Sequence, residues 1–216
     1  MTLEEYKAQF STEDGVGWQC IDKVFEQLYP GQEPQHFAPP VHYMLGGEDP
    51  LDGISIYQSK KQADHYHFVS YGLSELYYEE ESAGGEFSKW GFELTFRLKP
   101  FPEDNGEPGW VLMLMQNLAR YVFNSKRWFE EYHFIPANGP VRLDTATDIT
   151  ALAFITDPEA GTIDTPHGTV TFLQMVGLTS AEYEQLQQNP QTTETKKLLD
   201  QLKEQNPLLI TDLMRK

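Results

Sequence analysis

Cysteine and basic side chains are both scarce in this chain, and each shortage excludes a class of protein. Cys20 is the only cysteine among 216 residues, so no intrachain disulfide and no cysteine-based zinc site can form. The 16 lysines and arginines are outnumbered by 33 aspartates and glutamates, which gives a formal net charge of −17. Because that charge repels polyphosphates, it argues against nucleic acid and anionic membrane surfaces as partners and favours a basic protein.

The sequence also lacks long apolar runs, a targeting signal and the common catalytic motifs. Its longest prominent apolar run, residues 110–115, is far too short to span a membrane. The N-terminal Met-Thr-Leu-Glu-Glu-Tyr does not follow the basic-then-apolar order of a signal peptide. The chain contains neither a glycine-rich phosphate loop with a following lysine nor a serine elbow. We therefore expect a soluble cytoplasmic protein that is not an enzyme and uses no cofactor and no catalytic metal.

A strand followed by a helix is the strongest pattern that the sequence does contain. In residues 91–98 large apolar side chains alternate strictly with polar ones, which predicts a strand with one apolar face. That face is formed by Phe92, Leu94, Phe96 and Leu98. Apolar residues then recur at three- and four-residue steps over residues 110–123, which predicts a helix buried on most sides, with a polar stripe that begins at Gln116. A turn-rich insert, residues 103–109, separates the two, and we expect the strand and the helix to pack together as the core.

The rest of the chain predicts further short strands and helices. Helices are expected at residues 18–28, 179–186 and 193–205, the second of them opened by a capping box of Thr179 and Glu182. Strands are expected at residues 41–45, 54–57, 65–71, 151–155, 169–176 and 208–213. Loops are expected at the proline-rich residues 34–40 and at the acidic residues 79–85, the second of them mobile. These elements predict a single domain of mixed α and β structure over residues 1–216.

Two histidines and a few carboxylates are the groups with potential chemistry. His65 and His67 lie on one face of a predicted strand, roughly 7 Å apart, which is close enough to share a metal ion, but no third ligand follows at a diagnostic spacing. The candidate carboxylates are Asp49, Asp52, Glu75 and Glu93, and their spacing singles out no acid and base. Ordinary strand histidines and solvated or hydrogen-bonded carboxylates are the simpler interpretation. The alternative is an uncharacterised enzyme, or a domain that binds a metal or small ligand at His65 and His67.

Six stretches of the chain are similar in sequence to a known family. They are DPLDGISIY at residues 49–57, HFVSYGLSELY at 67–77, GFELTFRL at 91–98, LARYVF at 118–123, TPHGTVTFLQMVG at 165–177 and LITDL at 209–213. In this order they resemble the Suppressor of fused family over about residues 49–215, and the shared order makes the resemblance specific.

The resemblance implies an α+β fold, with a mixed β-sheet core flanked by helices, in a domain that binds other proteins. Animal members use two domains that clamp a short peptide as an added strand, and this chain resembles the amino-terminal one. Single-domain members are typical of bacteria, where they are proposed to be immunity proteins that neutralise the toxins of competing cells. The resemblance therefore implies a non-catalytic protein-binding domain, and a basic toxin domain is a partner compatible with the charge of −17.

The predicted partner-binding residues are Phe68, Tyr71, Glu75 and Tyr77, which belong to the second of these stretches. Tyr71, Glu75 and Tyr77 are expected to be exposed, and a tyrosine suits a binding site because it combines a large apolar face with one polar tip. The neighbouring loop at residues 79–85 is expected to move aside for a ligand. An uncovered strand edge at this position would also pair with the backbone of a partner. The alternative interpretation is that the stretch serves packing alone.

Overall fold

Eight strands in the described part of the chain form one mixed sheet. The computed structural model describes residues 1–102 and 106–216, so residues 103–105 of the expected insert lie outside the described residues. The strands are β1 (Gln35–Phe37), β2 (Gly53–Ser59), β3 (His65–Tyr71), β4 (Phe87–Leu98), β5 (Phe134–Pro136), β6 (Ile149–Thr156), β7 (Thr162–Thr165) and β8 (Gly168–Thr179). The helices are α1 (Leu3–Gln9), α2 (Val16–Leu28), α3 (Trp110–Ser125), α4 (Ser180–Gln188) and α5 (Thr192–Gln205).

The strand order places the most apolar strands in the middle of the sheet. Across the sheet the order is β1-β2-β3-β4-β8-β6-β5, and β7 pairs with β8 beside this path. The β4–β8 pair is parallel, whereas the other pairs are antiparallel. This arrangement confirms the expected α+β fold with a mixed sheet and flanking helices, and it leaves β1 and β5 as the edge strands at the two ends of the strand order.

Both faces of the sheet are covered by helices. The four apolar side chains of β4 pack with α3 in one core cluster, as the alternating pattern predicts. The opposite face packs against α2 around Phe25 and Phe172, and against α4 and α5 around Leu186 and Leu199. Because α2 and α5 cover this second face, the polar residues that alternate with the apolar side chains of β4 are buried as well. These are Glu93, Thr95 and Arg97, all fully inaccessible.

Several sequence predictions differ from the structure. The loop expected at residues 34–40 contains the edge strand β1, which pairs with β2. Helix α3 is less buried than its composition suggests, because Met113 and Tyr121 are 56% and 45% exposed. Residues 41–45 form a single 3-10 turn, Tyr43–Leu45, instead of a strand, since their backbone hydrogen bonds are local. Residues 208–213 contribute one isolated bridge, at Thr211, to β4. In that segment the Asn206 side chain binds the backbone of Ile210 and so replaces a strand partner.

Helix α1, which sequence reasoning missed, anchors the loop expected to be mobile. Thr2 and Glu5 form a capping box at its start. The backbone N–H of Glu79 donates to the buried Tyr6 hydroxyl at 3.1 Å, and Lys7 pairs with Glu80 at 2.5 Å. Residues 79–85 are therefore tied to α1 and contain a 3-10 turn, Glu80–Ser82. Among residues 1–102 and 106–216, no helix combines the length and the apolar composition that crossing a membrane requires.

Candidate functional site

The first two predicted partner-binding residues, Phe68 and Tyr71, lie inside the protein. Strand β3, which carries both, is paired with β2 on one side and β4 on the other, so the expected open strand edge is not at this position. Phe68 packs in the core beneath α3. The Tyr71 ring stacks on Trp18 with centroids 4.5 Å apart, and its hydroxyl donates to Asp22 Oδ1 at 2.9 Å. The prediction that Tyr71 is exposed is wrong, because α2 covers this face of the sheet.

The other two, Glu75 and Tyr77, lie nearer the surface. Glu75 is half-buried and is held by its backbone: its N–H donates to Ser88 Oγ at 2.9 Å, and its carbonyl accepts from His167 Nδ1 at 3.1 Å. Tyr77 is 38% exposed. Partial burial, and then the neighbouring Asp52, raise the pKa of the Tyr77 hydroxyl to about 12. The structure therefore separates the predicted set into two buried and two accessible residues.

Glu93, one of the candidate carboxylates, fixes the shape of the stretch after β3. Its Oε1 accepts hydrogen bonds from the backbone N–H groups of Gly72 and Ser74 at 2.9 and 2.8 Å, and from Ser74 Oγ at 2.7 Å. Its Oε2 accepts from Ser70 Oγ at 2.5 Å. Burial raises the pKa of Glu93 against these donors, which favour its ionised form. With all its oxygens engaged and no exposed surface, Glu93 is a structural group.

A second group of buried polar side chains lies between the sheet and α2. We call it the buried ion cluster, and its members are Tyr29, Lys61, His65, His67, Arg97, Asp157 and Glu159. Arg97 is at its centre and pairs with Asp157 at 3.0 Å and with Glu159 at 2.9 Å. Lys61, which is exposed, pairs with Glu159 and so ends the row at the surface. Two positive and two negative charges therefore alternate along the row and balance.

The two histidines complete this cluster, and all their ring nitrogens are engaged. His67 donates through Nε2 to Asp157 Oδ2 at 3.0 Å, so its Nδ1 accepts from the Tyr29 hydroxyl at 2.7 Å. His65 Nδ1 donates to the Ala63 carbonyl at 2.8 Å, so its Nε2 accepts from Arg97 Nη1 at 3.1 Å. Burial lowers the pKa of both histidines, that of His65 to about 4, and both are neutral at pH 7.

Three side chains of the cluster are hydrogen-bonded in the same order as in a hydrolytic triad, but unlike a triad they are not accessible to a substrate. A carboxylate, an imidazole and a hydroxyl follow one another in Asp157, His67 and Tyr29, as they do where a base activates a nucleophile. Burial opposes the ionisation of Asp157, but His67 and Arg97 outweigh it and hold the pKa of this carboxyl well below its usual range. His67 is fully inaccessible, so a substrate cannot reach it in this conformation. Within the described residues, no three His, Cys, Asp or Glu side chains are placed so that they could hold a metal ion together.

The accessible candidate site is the edge strand β5. Two grooves adjoin it. One, of about 780 Å³, extends towards Trp110 and Met113 of α3 and towards Leu143. The other, of about 430 Å³, is lined by residues that include Tyr121 of α3, Phe134 and Gln191. Ile135 of β5 lines both. Sequence reasoning missed this site because a strand of three residues has no readable periodicity.

The backbone of β5 has hydrogen-bonding groups that face away from the sheet. Phe154 N–H donates to the His133 carbonyl at 3.0 Å, and Ala137 N–H donates to the Thr150 carbonyl at 2.8 Å. In an antiparallel pair the groups alternate, so residues 133, 135 and 137 face β6. The N–H and C=O of Phe134 therefore point outward, where no further strand of the described residues pairs with β5.

Comparison with known proteins places these features in one family. The family model described as Suppressor of fused protein matches residues 47–216. Suppressor of fused homologs of Homo sapiens and Mus musculus are each 38% identical over 183 residues, which cover 80% of this chain and 37% of theirs. The chain thus spans well under half the length of these curated relatives.

Solved structures give the same result. A chain of the Sufu–Fu complex superimposes with a TM-score of 0.82 at 32% identity, over 94% of this chain and 91% of that one. Drosophila Suppressor of Fused superimposes with a TM-score of 0.81 at 31% identity, over 95% of this chain and 52% of that one. A putative homolog from Neisseria gonorrhoeae, 13% identical with a TM-score of 0.60, shares the fold over 93% of this chain and 95% of that one.

Proposed function

This chain belongs to the Suppressor of fused family, and from that membership we propose that it acts by binding another protein and catalyses no reaction. A relative with 32% identity is known in a complex, that of Sufu with Fu, which supports a binding role. The buried ion cluster supports the absence of catalysis, since its histidines and carboxylates are engaged with one another. The alternative of an enzyme or a metal-binding domain at His65 and His67 would require that cluster to open.

The edge of β5 is the observation that carries the proposal. A partner segment that extends along β5 pairs with the outward N–H and C=O of Phe134. Successive side chains of an added strand point to opposite faces of the sheet, and the two grooves that adjoin β5 offer space for those on the α3 side. The other edge strand, β1, lacks this arrangement. Its neighbouring groove is lined largely by polar groups such as Gln32, Gln58 and Asp64.

The finer proposal is that the partner is basic and that the domain is of the immunity type, which neutralises a toxin. The support for it is the net charge of −17, which accelerates the encounter with a basic surface. Added salt is expected to slow that encounter, since the Debye length falls from about 10 Å at 0.1 M to about 3 Å at 1 M. An association rate that does not change over this range would contradict the proposed charge steering. It would not bear on the proposal that a partner binds at the edge of β5.

A matched pair of variants tests the edge of β5. Peptides are first selected from a displayed random library on the parent protein. Phe134→Pro removes both the ring and the outward N–H, whereas Phe134→Ala removes the ring only. We expect selected peptides to bind the proline variant about tenfold more weakly than the alanine variant, as the loss of one backbone hydrogen bond implies. Equal binding to two well-folded variants would refute strand addition at β5.

A further inference from the structure

A row of four aromatic rings follows the C-terminal end of α3 on the surface. The aromatic row consists of Tyr43, Phe123, Trp90 and Trp128. Neighbouring ring centroids are 5.1, 5.8 and 6.4 Å apart, respectively. Trp128 is 51% exposed, and Tyr43 is exposed as well. Single exposed apolar residues are ordinary on protein surfaces, but a contiguous set marks an interaction site.

A groove of about 600 Å³ lies beside the aromatic row, and five of its twelve lining residues are aromatic. Its principal lining residues are Phe87, Lys89, Trp90, Phe92, Trp128 and Phe129. Phe87 is 60% exposed. The groove is therefore large enough for one or two side chains of a partner and offers them apolar walls. The Trp90 indole Nε1 has no hydrogen-bond partner among the described residues, so it is a donor that a partner's oxygen can satisfy.

Basic side chains concentrate on this row, although the protein as a whole is acidic. Lys89 Nζ lies 5.0 Å from the centroid of the Phe123 ring, and Lys126 Nζ lies 5.8 Å from that of Trp90. Lys89 also donates to the Gly72 carbonyl at 2.8 Å. Arg127 follows directly and is exposed. In the part of the chain that is described, none of these three cations pairs with a carboxylate.

Two carboxylates, Glu130 and Glu131, also line the groove, and neither forms an ion pair with these cations. Glu130 accepts from Trp128 Nε1 at 3.1 Å and lies 3.5 Å from His133 Nε2. Glu131 accepts from the Thr156 N–H at 3.2 Å. Both are engaged within the chain, whereas among residues 1–102 and 106–216 no carboxylate pairs with the cations at the aromatic row. A partner that complements this site therefore carries a negative charge.

We propose that the aromatic row and its groove form a second docking site, for a partner segment that carries an aromatic or large aliphatic side chain next to a carboxylate. The apolar side chain occupies the groove, and the carboxylate lies over Lys89 and Lys126. This site is separate from the edge of β5 and does not depend on strand addition. Docking there desolvates the two lysines in part, which strengthens their attraction for a carboxylate over that of a fully exposed pair.

Two peptide pools of opposite charge test the proposal. In one pool an aromatic residue is flanked by Asp or Glu at otherwise random positions, and in the other it is flanked by Lys or Arg. The net charge of −17 attracts the basic pool at long range. A preference for the acidic pool can therefore come only from local contacts. We expect the parent protein to retain the acidic pool at physiological salt, where the Debye length is about 8 Å.

Two charge-reversed variants locate the binding. Lys89→Glu with Lys126→Glu is expected to reverse the preference and to weaken a selected acidic peptide by at least about tenfold. Lys23→Glu with Lys60→Glu makes the same change in net charge elsewhere on the surface and is expected to bind like the parent. Phe134→Pro is also expected to bind like the parent, which separates this site from β5. The proposal is overturned if the parent retains neither pool or prefers the basic one, or if the two double variants behave alike.

Discussion

Replacement of Asp157 by asparagine removes the negative charge at the inner end of the buried ion cluster. Both oxygens of Asp157 act only as acceptors. Oδ1 accepts from Arg97 Nη2 at 3.0 Å and from the N–H groups of Glu159 and Ala160 at 2.9 Å each. Oδ2 accepts from His67 Nε2 at 3.0 Å. An asparagine has one acceptor oxygen. Its amide NH₂ must therefore face the donors that one of the two Asp157 oxygens now accepts from, either at Oδ1 or at Oδ2.

The expected loss of stability follows from the burial of Arg97. Without the Asp157 charge, this fully inaccessible guanidinium retains Glu159 as its carboxylate partner. Breaking a buried ion pair by removing one partner costs about 3–5 kcal/mol, which is a large part of the 5–15 kcal/mol that typically stabilises a domain. We expect Asp157→Asn to lower the free energy of unfolding by about 3–5 kcal/mol.

Urea unfolding followed by circular dichroism near neutral pH measures this loss as a lower midpoint at an unchanged slope. Asp212→Asn is the matched control, because it breaks an exposed pair, Lys99–Asp212 at 2.7 Å, which is worth at most about 1 kcal/mol. Arg97→Met combined with Asp157→Leu removes both charges and is expected to cost less than Asp157→Asn alone. If Asp157→Asn costs no more than Asp212→Asn, the cluster does not stabilise the fold as argued.

Three further predictions concern the core, the contact of α2 with the sheet, and acid stability. Phe96→Ala is expected to cost about 3–5 kcal/mol in urea unfolding, because the ring is fully buried beneath α3; a loss below about 1 kcal/mol would contradict this packing. Gly17→Ala is expected to destabilise α2 although alanine is the better helix former, since its Cβ would lie 1.9 Å from the Glu75 carbonyl oxygen. Gly109→Ala is the control, because its Cβ would have no non-local neighbour within 4 Å among the described residues. Burial lowers the pKa of His65 to about 4. Between about pH 6.5 and pH 4 this histidine is therefore protonated in the unfolded chain and neutral in the folded chain. The free energy of unfolding is therefore expected to fall by about 3 kcal/mol between pH 6.5 and pH 4. In the His65→Gln variant it should fall correspondingly less over that range.

The elements that could be predicted from the sequence are those whose pattern is local. Strand β4 and helix α3 follow from the spacing of apolar residues. Helix α4 follows from its capping box, in which Thr179 and Glu182 bind each other's backbone at 2.8 and 3.3 Å. The capping box of α1, formed by Thr2 and Glu5, was an equally legible signal that sequence reasoning missed.

The buried ion cluster could not be predicted, because its pairs are distant in the chain. Arg97 and Asp157 are 60 positions apart, and His67 is 90 positions from Asp157. The only local signal is an arginine within a strand of large apolar residues, which indicates that some partner is needed without naming it. For the same reason, alternation in β4 predicts one apolar face and cannot reveal that α2 and α5 also cover the polar one.

The six stretches that carry the family resemblance describe the centre of the molecule more than its contacts with partners. They lie on β2, β3, β4 and β8, on the second half of α3, and at the bridge of Thr211 to β4. The stretch at residues 67–77 shows the consequence, since Phe68 and Tyr71 serve packing there and Glu75 and Tyr77 alone reach the surface.

The edge strand β5 lies outside all six stretches, as does the aromatic row apart from Phe123. A family member can therefore keep this centre while its edge and its aromatic surface change, so the partner of a relative does not identify the partner of this chain. The variants at Phe134 and at Lys89 with Lys126 address those two surfaces directly, and they leave the centre of the sheet intact.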